Sequence, residues 1–210
     1  SATTYTLSLS GRLEDQAATG DLDITDDLAI IGNHAVIDAS GIDRVLHVHE
    51  GVNIQVSDLE IRGGKTLRRH GGGIYIDRNG SLAMKNCTVT DNSTGSENEW
   101  SETTGGFGGG IYVYRGNLDL ENCTISNNQT GSGPTNIWGA ITGGHGGGIA
   151  AQTSQLTINS THIINNEAGE GRSGVYGDGF GGKGGGLYMY EGSAVISDSS
   201  ISQNISGSGY

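Results

Sequence analysis

Short runs of alternating apolar and polar residues recur along the chain, and turn residues separate them. In the stretch that begins at Gly108, these runs occupy residues 111–113, 118–120 and 123–125, with Gly116-Asn117 and Glu121-Asn122 between them. Alternation with a period of two is typical of β-strands, and each run is too short for a helix. The pattern therefore predicts three short strands in every repeat.

The runs belong to a longer repeat that opens with three glycines. Its copies start at Gly71, Gly108, Gly146 and Gly184, 37 or 38 residues apart. With a weaker first copy, the repeats occupy residues 44–64, 71–95, 108–131, 146–169 and 184–207, and a half-copy begins at Leu22. Self-similarity at this spacing indicates a solenoid. We predict one all-β domain over residues 1–210, a right-handed single-stranded parallel β-helix (solenoid) of about six coils of three short strands.

Equivalent positions of the repeats should stack into columns. Four apolar columns are predicted to face inward: Ile74, Ile111, Ile149 and Leu187; Ile76, Val113, Ala151 and Met189; Leu82, Leu118, Leu156 and Val195; and Val89, Ile125, Ile163 and Ile201. A fifth column holds Asn92, Asn128, Asn166 and Asn204. Asparagine tolerates left-handed turns and can hydrogen-bond to the coil above, so we interpret this column as a structural ladder. Cys87 and Cys123 also align, and we expect two free buried thiols.

Composition and charge limit the kinds of structure and binding partner that the chain can have. Hydrophobic residues make up only 33% of the chain and 39 residues are glycine, which suits stacked coils with a thin apolar lining. The net charge of −12 opposes binding to nucleic acid or to anionic lipid. The sequence contains no apolar run long enough to predict a transmembrane segment.

Inserts precede the last three triple glycines, at residues 96–107, 132–145 and 170–183, and the shorter link of residues 65–70 precedes the first. They leave from equivalent positions, so we expect them to stack as loops at one corner, where repeat proteins often bind partners. Beside them, the first strand of each coil presents outward aromatic residues. The candidate ligand-binding residues are Tyr75, Tyr112, Tyr114, Tyr188 and Tyr190, with Trp100 and Trp138 on the inserts. Such a strip suits sugar rings or a protein partner, or it packs beneath the loops.

A second candidate site lies at the start of the same wall. His47 and His49 are two residues apart on one face, and Asp77 follows one coil later. Two imidazoles and a carboxylate can hold a transition metal or act as acid and base, while an incidental polar patch is the plainer interpretation. No catalytic residue is assigned. No cofactor is required by the sequence. Calcium is considered because acidic residues cluster at Glu14, Asp15, Asp21, Asp23, Asp26 and Asp27, without the spacing of a known calcium loop.

Two motifs together resemble the repeats of chlamydial polymorphic outer-membrane proteins and related bacterial right-handed β-helix repeat proteins. Gly-Gly-Gly-Ile/Leu opens each coil, and Val/Ile-x-x-Asn closes it, as from Val89 to Asn92 and from Ile125 to Asn128. The family often has Gly-Gly-Ala-Ile and usually Phe in the second motif, so the match is partial. The resemblance covers most of the chain. It implies a secreted or bacterial cell-surface module, often adhesive, and no particular activity.

Three functions follow as hypotheses. The first is a non-catalytic adhesion module that binds a glycan or a host or cell-surface protein. The second is a polysaccharide lyase or glycoside hydrolase of the pectate-lyase-like type, which requires carboxylate clusters or pairs. The third is ice binding, which needs a regular threonine face that Thr88, Thr124, His162 and Ser200 do not complete. We also expect a longer parent protein, or end-to-end or loop-mediated self-association, because an uncapped coil leaves an open edge.

Overall fold

The computed structural model describes residues 2–11, 18–67, 69–95, 104–133, 141–174 and 177–210. These residues form strands and turns and no helix. The strands are β1 (Thr4–Thr6), β2 (Leu22–Ile24), β3 (Leu28–Asp38), β4 (Leu46–Val48), β5 (Asn53–Arg62), β6 (Lys65–Thr66), β7 (Ile74–Ile76), β8 (Ser81–Lys85), β9 (Thr88–Thr90), β10 (Ser93–Thr94), β11 (Ile111–Tyr114), β12 (Asn117–Glu121), β13 (Thr124–Ser126), β14 (Ile149–Asn159), β15 (His162–Ile164), β16 (Leu187–Ser197) and β17 (Ser200–Ser202).

Every strand pairs in parallel with its counterpart in the next coil, as a parallel β-helix requires. Wall A contains β2, β4, β7, β11 and the first halves of β14 and β16. Wall B contains the first halves of β3 and β5, then β8, β12 and the second halves of β14 and β16. Wall C contains the second halves of β3 and β5, then β9, β13, β15 and β17, with β1 at its start. The predicted coils of three strands are confirmed.

The corners are turned by single residues with left-handed backbone geometry. Between walls B and C this position is held by Asp58, Asn86, Asn122, Ser160 and Asp198, with φ between 47° and 54°. Short polar side chains are the residues, after glycine, that tolerate this conformation best. Short polar residues therefore recur at this corner, whereas the left-handed positions between walls A and B hold Asn79, Arg115, Thr153 and Glu191.

The inward columns form one continuous core. Ile74, Ile111 and Ile149 are in register and fully buried. The wall B column departs from the prediction at the last coil, where Ala194 rather than Val195 pairs with Leu156. The reason is that β16 stays in register with β14 from Gly192 to Ser197, which places Val195 opposite the exposed Thr157 on the outer face.

The asparagine column is a hydrogen-bonded ladder. The Nδ2 of Asn92 donates to Oδ1 of Asn128 at 3.0 Å, and Asn128 and Asn166 each repeat this bond to the next coil at 3.0 Å. The residue with left-handed backbone geometry directly precedes each ladder asparagine, as Asn127 precedes Asn128 and Asn165 precedes Asn166. The column therefore owes its asparagines to amide pairing and not to turn geometry.

Cys87 and Cys123 are free and buried, as predicted. Their sulfurs approach the carbonyls of Lys85 and Glu121 at 3.2 and 3.3 Å. Hydrogen bonding to Cys87 and burial both raise the pKa of the Cys123 thiol. These thiols therefore behave as small core residues.

The described parts of the inserts stack on one another at the corner between walls C and A. Thr104 bridges to Thr142, and Thr142 to Phe180. The hydroxyl of Thr94 donates to the Gly106 carbonyl at 2.8 Å, and Thr130 repeats this bond to Gly144 at 2.7 Å. The described parts of the inserts thus stack on one another with the same repeat as the coils.

Candidate functional site

A column of aromatic rings lies on the outer face of wall A. Tyr75 pairs with His47 on one side and Tyr112 on the other. The ring of Tyr75 lies 5.0 Å from that of His47 and 5.6 Å from that of Tyr112, both stacked. Burial raises the pKa of Tyr75 to about 12 and also raises the pKa of Tyr112. The predicted outward column is therefore present as a stack of protonated phenols.

A second column, which the sequence interpretation missed, covers the first. Each member directly precedes a triple glycine: His70, Phe107, His145 and Lys183. The Nδ1 atoms of His70 and His145 accept the backbone N–H groups of Phe107 and Lys183 at 2.9 and 3.0 Å. The sequence signal for this column was a large side chain directly before each of the four triple glycines.

The covering column buries one of the predicted ligand-binding tyrosines. The rings of His70 and Phe107 lie 4.6 and 6.3 Å from Tyr112, which is only 3% exposed. Burial, with a smaller contribution from the Arg44 charge, lowers the pKa of His70 to about 4. Burial and the Lys183 charge likewise lower the pKa of His145. Tyr112 is thus a packing residue under neutral imidazoles and not an exposed contact.

The aromatic column is interrupted where Ala150 stands between Tyr112 and Tyr188. Above this gap lies a cavity of about 210 Å³. Its walls are formed by Phe107, Tyr112, His145, Ala150, Ala151, Gln152, Tyr188 and Tyr190. Phe107 lies 6.3 Å from Tyr188 and His145 lies 4.6 Å from the same ring. Ala150 itself is fully buried. The gap therefore places aromatic side chains around a buried alanine at the base of a cavity, which we call the Ala150 pocket.

Polar groups reach the same pocket from the neighbouring outward column. Gln152 pairs with Tyr114 and Tyr190 in the adjacent coils. The Tyr112 hydroxyl donates to Oε1 of Gln152 at 2.9 Å, which orients the amide. Tyr190 is 54% exposed beside it. Tyr114 differs, because the guanidinium groups of Arg78 and Arg115 lie over its ring at 5.9 and 5.3 Å.

The predicted group of His47, His49 and Asp77 is corrected by the structure. Asp77 accepts the Arg78 backbone N–H at 2.6 Å and lies 3.5 Å from the Tyr75 hydroxyl. The carboxylate that joins the two histidines is Asp23, because β2 places it beside His47 in the preceding coil. The sequence interpretation recognised the half-copy that begins at Leu22 but assigned the acid to the following coil, whereas the structure takes it from the preceding one.

The acidic residues near the start do not share one site within the described part of the chain. Asp21 forms a buried ion pair with Arg44 at 2.9 Å. Burial raises the pKa of Asp21 to about 7, although the Arg44 charge opposes this. The Asp27 carboxylate accepts the Asn53 backbone N–H at 2.7 Å. Glu14 and Asp15 lie outside the described residues, as do Trp100 and Trp138.

A larger groove of about 550 Å³ lies on wall B. Its lining includes Ala29, Ile31, Ala83, Lys85 and Glu121. Lys85 and Glu121 pair with each other at 2.7 Å across exposed surface. This groove is larger than the Ala150 pocket but has no aromatic ring among its described lining residues, so we place the candidate site on wall A.

Comparison with known proteins identifies the family. The sequence model of the right-handed β-helix region matches residues 28–210. The chain belongs to the right-handed β-helix family. The match covers all but the first strands, so the predicted handedness and solenoid architecture are confirmed. No curated protein and no solved structure matches the chain significantly. Within the described residues, no helix is both long and apolar enough to span a bilayer.

Proposed function

We propose that this β-helix is a non-catalytic extracellular module that binds a neutral sugar residue of a glycan in the Ala150 pocket. The observation that carries the proposal is the interrupted aromatic column, in which Ala150 stands between Tyr112 and Tyr188 in neighbouring coils. An uninterrupted column would suit packing alone. The interruption leaves aromatic side chains around a cavity that opens beside an exposed tyrosine.

The chemistry of the lining suits a sugar ring. Aromatic rings with an apolar face and a polar edge, such as Tyr188 and Tyr190, pack against the C–H face of a pyranose. The Tyr112 hydroxyl lies 2.9 Å from Oε1 of Gln152 and orients the amide, whose NH₂ group can donate hydrogen bonds to sugar hydroxyl groups. His145 is uncharged at neutral pH because its pKa is lowered. The described lining carries no formal charge, which favours a neutral sugar.

The size of the pocket also supports this ligand class. Drug-sized ligands occupy cavities of roughly 300–1,000 Å³, and the Ala150 pocket holds about 210 Å³. One sugar residue suits this volume, with the rest of the glycan extending along the surface past Tyr190. The described lining residues include no carboxylate and no arginine or lysine. Glycoside hydrolases need paired carboxylates, and lyases of this fold need carboxylates for calcium and a basic residue, so the lining favours recognition over cleavage.

The cellular setting is part of the proposal. A net charge of −12 suits a soluble module and disfavours nucleic acid. We propose secretion or display on a bacterial cell surface, with adhesion to a glycan as the role. The fold itself supports many functions, so the pocket chemistry and not the family carries this step.

The test compares the parent chain with two tyrosine variants on a glycan array, with and without calcium. Tyr190→Ala removes an exposed ring at the pocket, and Tyr5→Ala removes one of similar exposure, 61% against 54%, at the far end of the solenoid. Loss of one stacking ring costs about 0.5–1.5 kcal/mol, so we expect roughly two- to tenfold weaker binding for Tyr190→Ala alone.

The controls separate the alternatives. Gln152→Ala should also weaken binding, and Tyr5→Ala should leave it unchanged. Binding that survives in Tyr190→Ala and Gln152→Ala, or no binding of any neutral glycan, would contradict the proposal. Glycan binding that disappears when a chelator removes calcium would show that binding requires the ion.

A further inference from the structure

Three metal-ligating side chains converge at the beginning of wall A. The Oδ1 atom of Asp23 lies 3.1 Å from Nδ1 of His47 and 2.8 Å from Nε2 of His49. All three ligating atoms lie within 4.8 Å of one another. Asp23 is in register with His47 on the neighbouring strand, and His49 follows His47 on the same face. The parallel fold therefore aims three donor atoms at one point.

We propose that Asp23, His47 and His49 form a binding site for a divalent transition metal of the zinc type. Zinc bonds to imidazole nitrogen and carboxylate oxygen at about 2.0–2.2 Å, which separates tetrahedral ligand atoms by roughly 3.4 Å. The observed separations of 3.1 and 2.8 Å need to widen by about 0.3 and 0.6 Å to reach this value, and the two histidine nitrogens lie within 4.8 Å of each other. Two imidazoles with one carboxylate select such metals over calcium, which needs six to eight oxygens.

The three side chains are held in place, and one side of the group remains open. The His47 ring stacks on His49 at 4.0 Å and on Tyr75 at 5.0 Å, which fixes its orientation. The side chain of Asp23 is fully buried, while that of His49 is 24% exposed. A metal can therefore enter past His49, and water can complete its coordination.

A buried ion pair lies close to this group. Arg44 lies over Tyr75, the residue that stacks on His47, with its guanidinium carbon 5.1 Å from the Tyr75 ring centre. Its guanidinium pairs with Asp21 at 2.9 Å, and both side chains are nearly inaccessible.

The test uses Zn²⁺ and Co²⁺ alone, added to the purified tag-free chain after treatment with a chelator. Titration calorimetry should give one saturable site for Zn²⁺. The cobalt complex should show the visible absorption of a tetrahedral centre with nitrogen and oxygen ligands. Zinc should also raise the melting temperature, which provides a readout independent of any glycan.

Two near-isosteric substitutions test the residues. Asp23→Asn and His49→Gln preserve size and the hydrogen bonds between the groups, but each removes a ligand, so binding should weaken at least about tenfold. The matched control is His162→Gln, because His162 is an exposed histidine on wall C whose Nδ1 lies 2.7 Å from Ser200 Oγ. Circular dichroism confirms that each variant folds.

Two outcomes would overturn the proposal. One is saturable binding that persists in both Asp23→Asn and His49→Gln, or that is lost in His162→Gln. The other is a thiolate-to-cobalt charge-transfer band, which would place the metal at Cys87 and Cys123. Because neither readout involves a sugar, failure here leaves the Ala150 pocket untouched.

Discussion

The asparagine ladder gives the sharpest stability prediction. Asn128 is fully buried, and its side chain makes four hydrogen bonds. Its Nδ2 donates to the Val89 carbonyl and to Oδ1 of Asn166, both at 3.0 Å. Its Oδ1 accepts the backbone N–H and Nδ2 of Asn92 at 3.1 and 3.0 Å. Asn128→Ala removes all four bonds at once.

The cost can be worked out from the groups that lose a partner. The Asn92 backbone N–H and the Val89 carbonyl are each left without this bond in the interior, while Oδ1 of Asn166 keeps the Asn128 backbone N–H at 3.0 Å. A buried polar group left unsatisfied costs about 1–3 kcal/mol. We therefore expect Asn128→Ala to lower the free energy of unfolding by about 2–5 kcal/mol.

Equilibrium urea denaturation followed by circular dichroism measures this loss. Asn117→Ala is the matched control, because Asn117 is exposed on wall B and should change stability by less than about 0.5 kcal/mol. Asn128→Asp keeps the shape but brings a third oxygen against Val89 and Asn166, so its cost should equal or exceed that of Asn128→Ala. A loss below about 1 kcal/mol for both variants would refute the ladder argument.

Two further predictions concern acid and thiol chemistry. Because the pKa of His70 is lowered to about 4, its contribution to stability is fully present above pH 6.5 and is lost as the pH falls towards 4, by up to about 3 kcal/mol. His70→Asn keeps an acceptor for the Phe107 N–H but does not titrate in this range, so its urea midpoints should fall less steeply from pH 7 to pH 4 than those of the parent. Equal slopes for the two proteins would contradict this. Asp21 titrates in the opposite sense, but it is present in both proteins and therefore cancels in the comparison. Cys87 and Cys123, each 2% exposed, should react with a thiol reagent only as fast as the chain unfolds, and rapid reaction of either one in native protein would show that the core is open there.

The repeat pattern predicted the architecture because each column is fixed by burial. A one-residue slip would turn Ile111 and Ile149 outward, so alternation alone sets their register. Among the four apolar columns, the wrong assignment is Val195, because β16 stays in register with β14 and places Val195 opposite the outward-facing Thr157.

The candidate site was less predictable because its contacts cross between columns. The sequence located Tyr75 and Tyr188, but burial of Tyr112 depends on His70 and Phe107, which lie on variable inserts. The sequence shows Ala150 as a small residue in a column of tyrosines. Whether that gap forms a pocket depends on which aromatic rings surround it, and this requires the structure. Likewise, Asp23 reaches His47 through a strand pairing that spacing alone did not indicate.

The Ala150 pocket is tested most directly by nuclear magnetic resonance of protein labelled at the alanine methyl groups. We predict that a neutral glycan identified on the array shifts the Ala150 resonance, because Ala150 belongs to the pocket lining. Ala29 and Ala83, which line the larger wall B groove, should remain unchanged. Shifts at Ala29 and Ala83 with Ala150 unaffected would contradict the account and move the binding surface to wall B.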